Sequence, residues 1–149
     1  MRYLFMLLFA LCGSVHADTG LVVMKSAHNV KETADRLESL LKDKDVNLVA
    51  RVNHAQAAKK VGMDLRPTEV LIFGNPKAGT PLMQCAQTIG IDLPQKALIW
   101  EDEKGQAWLA YNDQQYLAKR HGAAKCVEAL NKMSEALANF AKGATGKTR

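Results

Sequence analysis

Aromatic side chains are scarce, at 6% of 149 residues, and the chain has only three cysteines, four prolines and ten glycines. With glycine and proline this sparse and 48% of residues hydrophobic, collagen-like and disordered chains are excluded. The longest apolar run, Tyr3 to Cys12, has ten residues, about half of what a membrane-crossing helix needs, which excludes a multi-span membrane protein. The formal net charge is only +5, and opposite charges interleave, as in Lys42-Asp43-Lys44-Asp45. That reads as a solvated face rather than a nucleic-acid patch. What is left is one globular domain.

The amino terminus has the layout of a secretory signal peptide. Arg2 precedes the apolar run, Gly13 and Ser14 loosen the chain, and Val15-His16-Ala17 is a small-x-small cleavage pattern. Residues 1–17 are therefore expected to be removed, which makes the protein periplasmic or secreted. Bulky Phe9 and Leu11 ahead of Cys12 speak against a lipoprotein anchor, so no membrane anchor is expected. Without Arg2 the chain keeps 19 basic and 15 acidic side chains, a net +4. Cys85 and Cys126 remain, in a compartment where disulfides persist.

Residues 18–142 read as a single α+β domain and residues 143–149 as a disordered tail. Leu21–Ala27 is apolar and β-branched and predicts a first strand. Asn29 with Glu32 forms a capping-box pattern ahead of Val30, Ala34, Leu37 and Leu41 at helical spacing. Val46–Val52 alternates as a second strand, and Asn53 with Gln56 repeats the cap for a short helix ending near Gly62. Glu69–Phe73 is a continuous apolar run, expected to be a central strand covered on both faces. The Gly74–Gly79 stretch reads as a loop, with Thr80 as N-cap and Pro81 at the first helical position of a helix running to Gly90. Ala97–Trp100 and Ala107–Tyr111 predict a hairpin, Asp113 caps a short helix ending at Gly122, and a last helix carries Cys126, Leu130, Met133, Leu137 and Phe140 on one stripe.

No motif for catalysis stands out. Gly74 and Gly79 have phosphate-loop spacing, but Thr80-Pro81 occupies the place of the Lys-Ser/Thr pair and rejects nucleotide binding. The loop reads as a turn into its helix, with an anion site near Lys77 as the alternative. Cys85 and Cys126 lack the spacing of a redox or zinc pair; they are either two small core residues or a disulfide. His28, His54 and His121 stand singly, and Met63 and Met83, which a copper site could recruit, are more simply core filler.

Three segments, FGNPKAGTPLM (Phe73 to Met83), IGIDLPQKALIWED (Ile89 to Asp102) and YNDQQYLAKRHG (Tyr111 to Gly122), together resemble the bacterial "domain of unknown function 302" family in its exported version. The Gly-Asn-Pro loop falls on Gly74, Asn75 and Pro76, Asp-Leu-Pro on Asp92, Leu93 and Pro94, and Tyr-Asn-Asp on Tyr111, Asn112 and Asp113. Gln114 departs from the Pro that often follows, and Cys85 stands where alanine is common. The resemblance implies a TATA-binding-protein-like α+β fold, an antiparallel sheet with helices packed on one face, and a homodimer. It supplies no activity.

The expectation is a small-ligand or metal-ion binding module without enzymatic activity, taking a small anion or a metal ion and no nucleic acid. No cofactor is indicated. Its site residues would be Asn75, Lys77, Tyr111, Asn112, Asp113 and His121, with His54 as an outlier, because polar turns at strand ends are where sites are built. The alternatives are an enzyme with His121 as general acid or base, oriented by Asp113, and a structural or assembly protein.

Overall fold

The computed structural model describes residues 19–146; the expected signal peptide and the last three residues lie outside them. The described residues form, in chain order, β1 (Leu21–Lys25), α1 (Val30–Asp43), β2 (Asn47–Asn53), α2 (His54–Lys60), β3 (Thr68–Gly74), α3 (Pro76–Cys85), β4 (Gln95–Glu101), β5 (Ala107–Asn112), α4 (Gln114–His121) and α5 (Val127–Thr145). A 3-10 turn, Gln87–Ile91, follows α3. The strands form one antiparallel sheet in the order β1-β5-β4-β3-β2. This is the expected α+β fold.

One sheet face is covered. Leu71, Phe73, Ala97, Ile99, Ala107, Leu109 and Tyr111 project from it onto Leu37 and Leu41 of α1 and Leu137 and Ala141 of α5. Burying such side chains supplies roughly 1.5–3 kcal/mol each, so the period-two pattern fixes the register. A second, smaller core lies outside the sheet, where Leu82, Ile89, Leu117 and Leu130 meet. Asn29, Asn53 and Asp113 cap α1, α2 and α4 as their sequence contexts predict. Gly122, at φ 66°, ends α4 in the left-handed conformation that glycine adopts without penalty.

Several expectations are corrected. β3 is buried at alternate positions only, so it is covered on one face, and β4 occupies the centre of the sheet. The Gly74–Gly79 stretch is not a loop. Asn75 accepts a hydrogen bond from the Lys77 amide at 2.9 Å and starts α3 at Pro76, while Thr80 and Pro81 fall inside the helix. Two cap-proline pairs compete in this sequence, and the earlier one satisfies the first turn. α3 stops at Cys85, where Ala86 turns extended. Cys126 is the N-cap residue of α5 rather than part of its stripe.

The expected tail is also too long. α5 runs through Gly143 to Thr145, with Ala144 and Thr145 buried. Gly143 is a crossing point instead of a stop, because a Cβ there would lie 2.8 Å from Leu40 Cδ1. Arg36 of α1 donates to the carbonyls of Gly143 and Ala144 at 3.0 and 3.2 Å, and His28 Nε2 bonds the Gly146 carbonyl at 2.8 Å. These contacts satisfy the terminal carbonyls that a helix leaves open.

At the β2–β3 edge, Arg51 donates to Glu69, Asp35 and Glu38 at 2.7, 2.7 and 3.1 Å. Burial opposes its charge, but the three carboxylates outweigh that and raise its pKa. Asp35, held first by Lys31 and then by Arg51, is pushed below the ordinary carboxylate value. Its contribution to stability is therefore complete above the unfolded-state value, near pH 4, and is lost as pH falls through the folded-state value. Asp35 is half-exposed, which limits the gain to about 0.2–1 kcal/mol. Urea unfolding from pH 7 to pH 2 should show Asp35→Asn less stable than wild type by that amount at neutral pH, with the two curves converging below about pH 4. A constant gap would mean that the carboxylate is not held by these cations.

Candidate functional site

The antiparallel register places Asn47, Gly74, Gln95, Asn112 and Leu21 at one end of the sheet and Asn53, Thr68, Glu101, Trp108 and Lys25 at the other. Asn75, Asn112 and Asp113 thus share the first end. His54 begins α2 just after Asn53, at the opposite end, and does not join them. Tyr111 is 7% exposed within the main core, and burial, then the Asp113 charge, raises its pKa. It is a packing residue. Asp113 accepts the Gln115 amide at 2.9 Å as the cap of α4, and the Asn112 carbonyl accepts from buried Gln114 at 3.0 Å. Gln114 and Gln95 form a reciprocal amide pair, 3.2 Å each way.

His121 is held elsewhere, and its partner is not Asp113. Nε2 lies 2.6 Å from Asp92 Oδ2 and Nδ1 lies 3.1 Å from Thr88 Oγ1. Arg120 adds a longer contact, 3.4 Å, to the same carboxylate. The imidazole, 7% exposed, pins the end of α4 to the turn after α3. Asp113 caps the opposite end of this helix, as a span of eight residues dictates. The order Thr88–His121–Asp92 could in principle pass a proton from hydroxyl to imidazole. These residues line none of the clefts described below. Asp92 and Thr88 were missed as His121 partners in the sequence, although Asp92 sits in the Asp-Leu-Pro segment.

α3 divides two clefts. On one side, between α3 and α5, a cleft of about 670 Å³ is lined by Asn75, Lys77, Cys85, Lys125, Cys126, Glu128 and Lys132, with Pro81 and Met133 at its apolar wall. Three ammonium groups face one carboxylate. Lys132 pairs with that carboxylate, Glu128, at 2.7 Å, which lowers the acid's pKa and raises the amine's. Cys85 and Cys126 are bridged, joining the end of α3 to the start of α5 with Cα atoms 6.3 Å apart; of the two readings of these cysteines, the disulfide is the one adopted. On the other side lies a cleft of about 340 Å³ whose walls are Met83, Leu93, Pro94, Val49 and Met133. It brings the Gly-Asn-Pro and Asp-Leu-Pro segments together, with Pro94 Cβ 3.4 Å from where a Gly74 Cβ would stand. A third cleft, about 540 Å³, opens at the far end between α1 and α2. Among the described residues no group of three His, Cys, Asp or Glu side chains is placed to hold a metal ion.

The family model "Domain of unknown function DUF302" matches residues 22–140. The chain belongs to the DUF302 family. A crystal structure of an uncharacterised conserved DUF302 protein from Bacillus stearothermophilus matches with a TM-score of 0.76 over 85% of this chain and 98% of that one, at 17% identity; the likeness shows the shared fold. Two curated relatives, named fluoride-specific ion channel FluC 1, come from Brucella suis and Brucella abortus. Each is 50% identical over 104 residues, 70% of this chain. The match spans 41% and 38% of their respective lengths, so the DUF302 chain accounts for less than half of either.

The two carboxylates near α4 should separate by their roles. Asp92→Ala strips a charged partner from a buried imidazole and should cost about 2–3 kcal/mol, whereas Asp113→Ala removes an N-cap and should cost about 1 kcal/mol. Urea denaturation of both variants measures the difference; equal losses would deny Asp92 its place as the His121 partner.

Proposed function

We propose that this DUF302 domain is an exported binding module that takes a small anion in the cleft between α3 and α5. The single observation that carries the reading is the surplus of cationic side chains there: Lys77, Lys125 and Lys132 against Glu128, beside Asn75. Lysine donates and cannot ligate a metal while charged, so an anion suits this lining better than a cation. The disulfide supports an oxidising compartment. Lys77 and Asn75 are the two members of the expected site that line the cleft; Asn112, Asp113 and His121 serve the fold around it.

The name of the curated relatives also points toward anions. A channel must cross the bilayer, and no helix among the described residues is long and apolar enough to do so. We therefore assign the segment shared with those proteins to an accessory role outside the membrane. Fluoride is a small, strongly hydrated ion, and a cleft of about 670 Å³ is dimensioned for a larger oxyanion or carboxylate.

Isothermal titration at low ionic strength with fluoride, sulfate and succinate tests this reading. Sulfate or succinate should bind, and Lys77→Gln with Lys125→Gln should weaken binding by about tenfold or more, as should 0.5 M salt. Absence of binding by all three anions would refute it.

A specific observation favours a second role in assembly. Among the described residues no helix covers the other sheet face, which carries a continuous apolar row across all five strands, Val23, Ala110, Leu98, Val70 and Val52, with Val23 48% exposed and Ala110 buried between its neighbours. Five strands of about six residues present roughly 500 Å², so two copies face to face would bury about 1,000 Å², the lower bound of a specific interface. A second copy of this chain would meet this apolar face with the same face of its own, the arrangement two-fold symmetry gives. Sedimentation should find a dimer that Val23→Lys with Val70→Lys converts to a folded monomer; a monomeric wild type would exclude the assembly.

A further inference from the structure

The disulfide sits at the margin of the smaller core, against which Cys126 packs. Cys85 and Cys126 are partly exposed and form part of the wall of the α3–α5 cleft, among Lys77, Lys125 and Lys132. Cys126 is also the N-cap residue of the 19-residue α5, and its side chain makes no capping hydrogen bond. Three features thus coincide at one sulfur: access from a cleft, cations around it, and the positive end of a long helix. Helix N-termini and adjacent lysines both stabilise a thiolate. Glu128, the opposing charge, is paired with Lys132, which leaves Lys77 and Lys125 as the cations in surplus.

We propose that Cys85–Cys126 is a thiol-exchangeable disulfide whose electron donor is a small acidic thiol drawn into this cleft. The incoming thiolate attacks Cys85 Sγ. The bridge breaks, and its electron pair leaves on Cys126 Sγ, the better leaving group because its thiolate is stabilised. Cys85 is then joined to the donor in a mixed disulfide. A second donor thiolate attacks the donor sulfur of that bond, releases Cys85 and departs as the donor's own disulfide. Two thiols are oxidised and the bridge takes up two electrons. Of the two protons shed, one goes to Cys85 and one to solvent while Cys126 stays ionised. Reduction unfastens α3 from α5, the two walls of the cleft. The inference goes beyond anion binding and does not need a resident anion.

The test uses the oxidised full chain with thioglycolate, 2-mercaptoethanol and cysteamine, an anionic, a neutral and a cationic thiol. Reduction is read by quenched alkylation and peptide mass mapping, with rates expressed per thiolate. At low salt thioglycolate should react about tenfold faster than cysteamine, and the ratio should fall to within about twofold in 0.5 M salt. Lys125→Gln with Lys132→Gln should collapse the ratio similarly, whereas the remote Lys42→Gln with Lys44→Gln should leave it unchanged. In the reduced protein Cys126 should alkylate at lower pH than Cys85 does, because the helix terminus and the lysines favour its thiolate. Equal rates for the three thiols would overturn the proposal. So would a bridge that yields only after urea unfolds the chain, or a Cys126 that titrates as an ordinary thiol.

Discussion

Burial of one sheet face beneath α1 and α5 is the constraint on which the remainder depends. β3, β4 and β5 each present alternate side chains to that side, and among the described residues α1 and α5 lie over them. They must approach closely, which is why α5 places Gly143 against Leu40 and why Arg36 reaches from α1 to the last carbonyls of α5. α5 has a second duty. Its carboxyl-terminal half fills the main core through Leu137 and Ala141, while Leu130, nearer its start, fills the smaller core with Leu82 and Leu117. Met133 touches both. One helix therefore holds the α3–α4 layer to the sheet, and the clefts beside α3 exist because it does.

The polar residues around those clefts divide by what their atoms already do. Asn75 and Asp113 have committed an oxygen to capping, and His121 has both ring nitrogens engaged. These groups are preorganised and rigid, which suits them to shape a site. The lysines are different, since their ammonium groups sit at the ends of long side chains around the α3–α5 cleft. A surplus of positive charge thus lies where the helical layer is joined by its disulfide, while the sheet edge carries the cluster of Arg51 and its carboxylates.

Local signals were legible. Asn29, Asn53 and Asp113 announced three helices because an Asx side chain followed by helical periodicity has few other uses. Alternation marked β2, the polar turn at residues 101–105 between two apolar runs marked the β4–β5 hairpin, and the family resemblance quoted on Gly-Asn-Pro, Asp-Leu-Pro and Tyr-Asn-Asp indicated the α+β class. Where two local signals competed, the sequence was ambiguous: Asn75-Pro76 and Thr80-Pro81 both read as starts, and the fold uses the first, with Asn75 accepting the Lys77 amide. Gly143 carried the same ambiguity between stop and contact. The apolar run of β3 suggested two covered faces because composition alone does not count helices.

The sequence by itself determined the starts of α1, α2 and α4, the alternation of β2 and the identity of the charged and sulfur-bearing side chains, because these depend on neighbours within a few positions. Only the tertiary structure decided which of them meet. Asp92 reaches His121 across 29 positions, Cys85 reaches Cys126 across 41, and His54 is carried to the far end of the sheet by the direction of β2. Those pairings follow from antiparallel register and from α5 lying across two cores, which are properties of the folded chain as a whole.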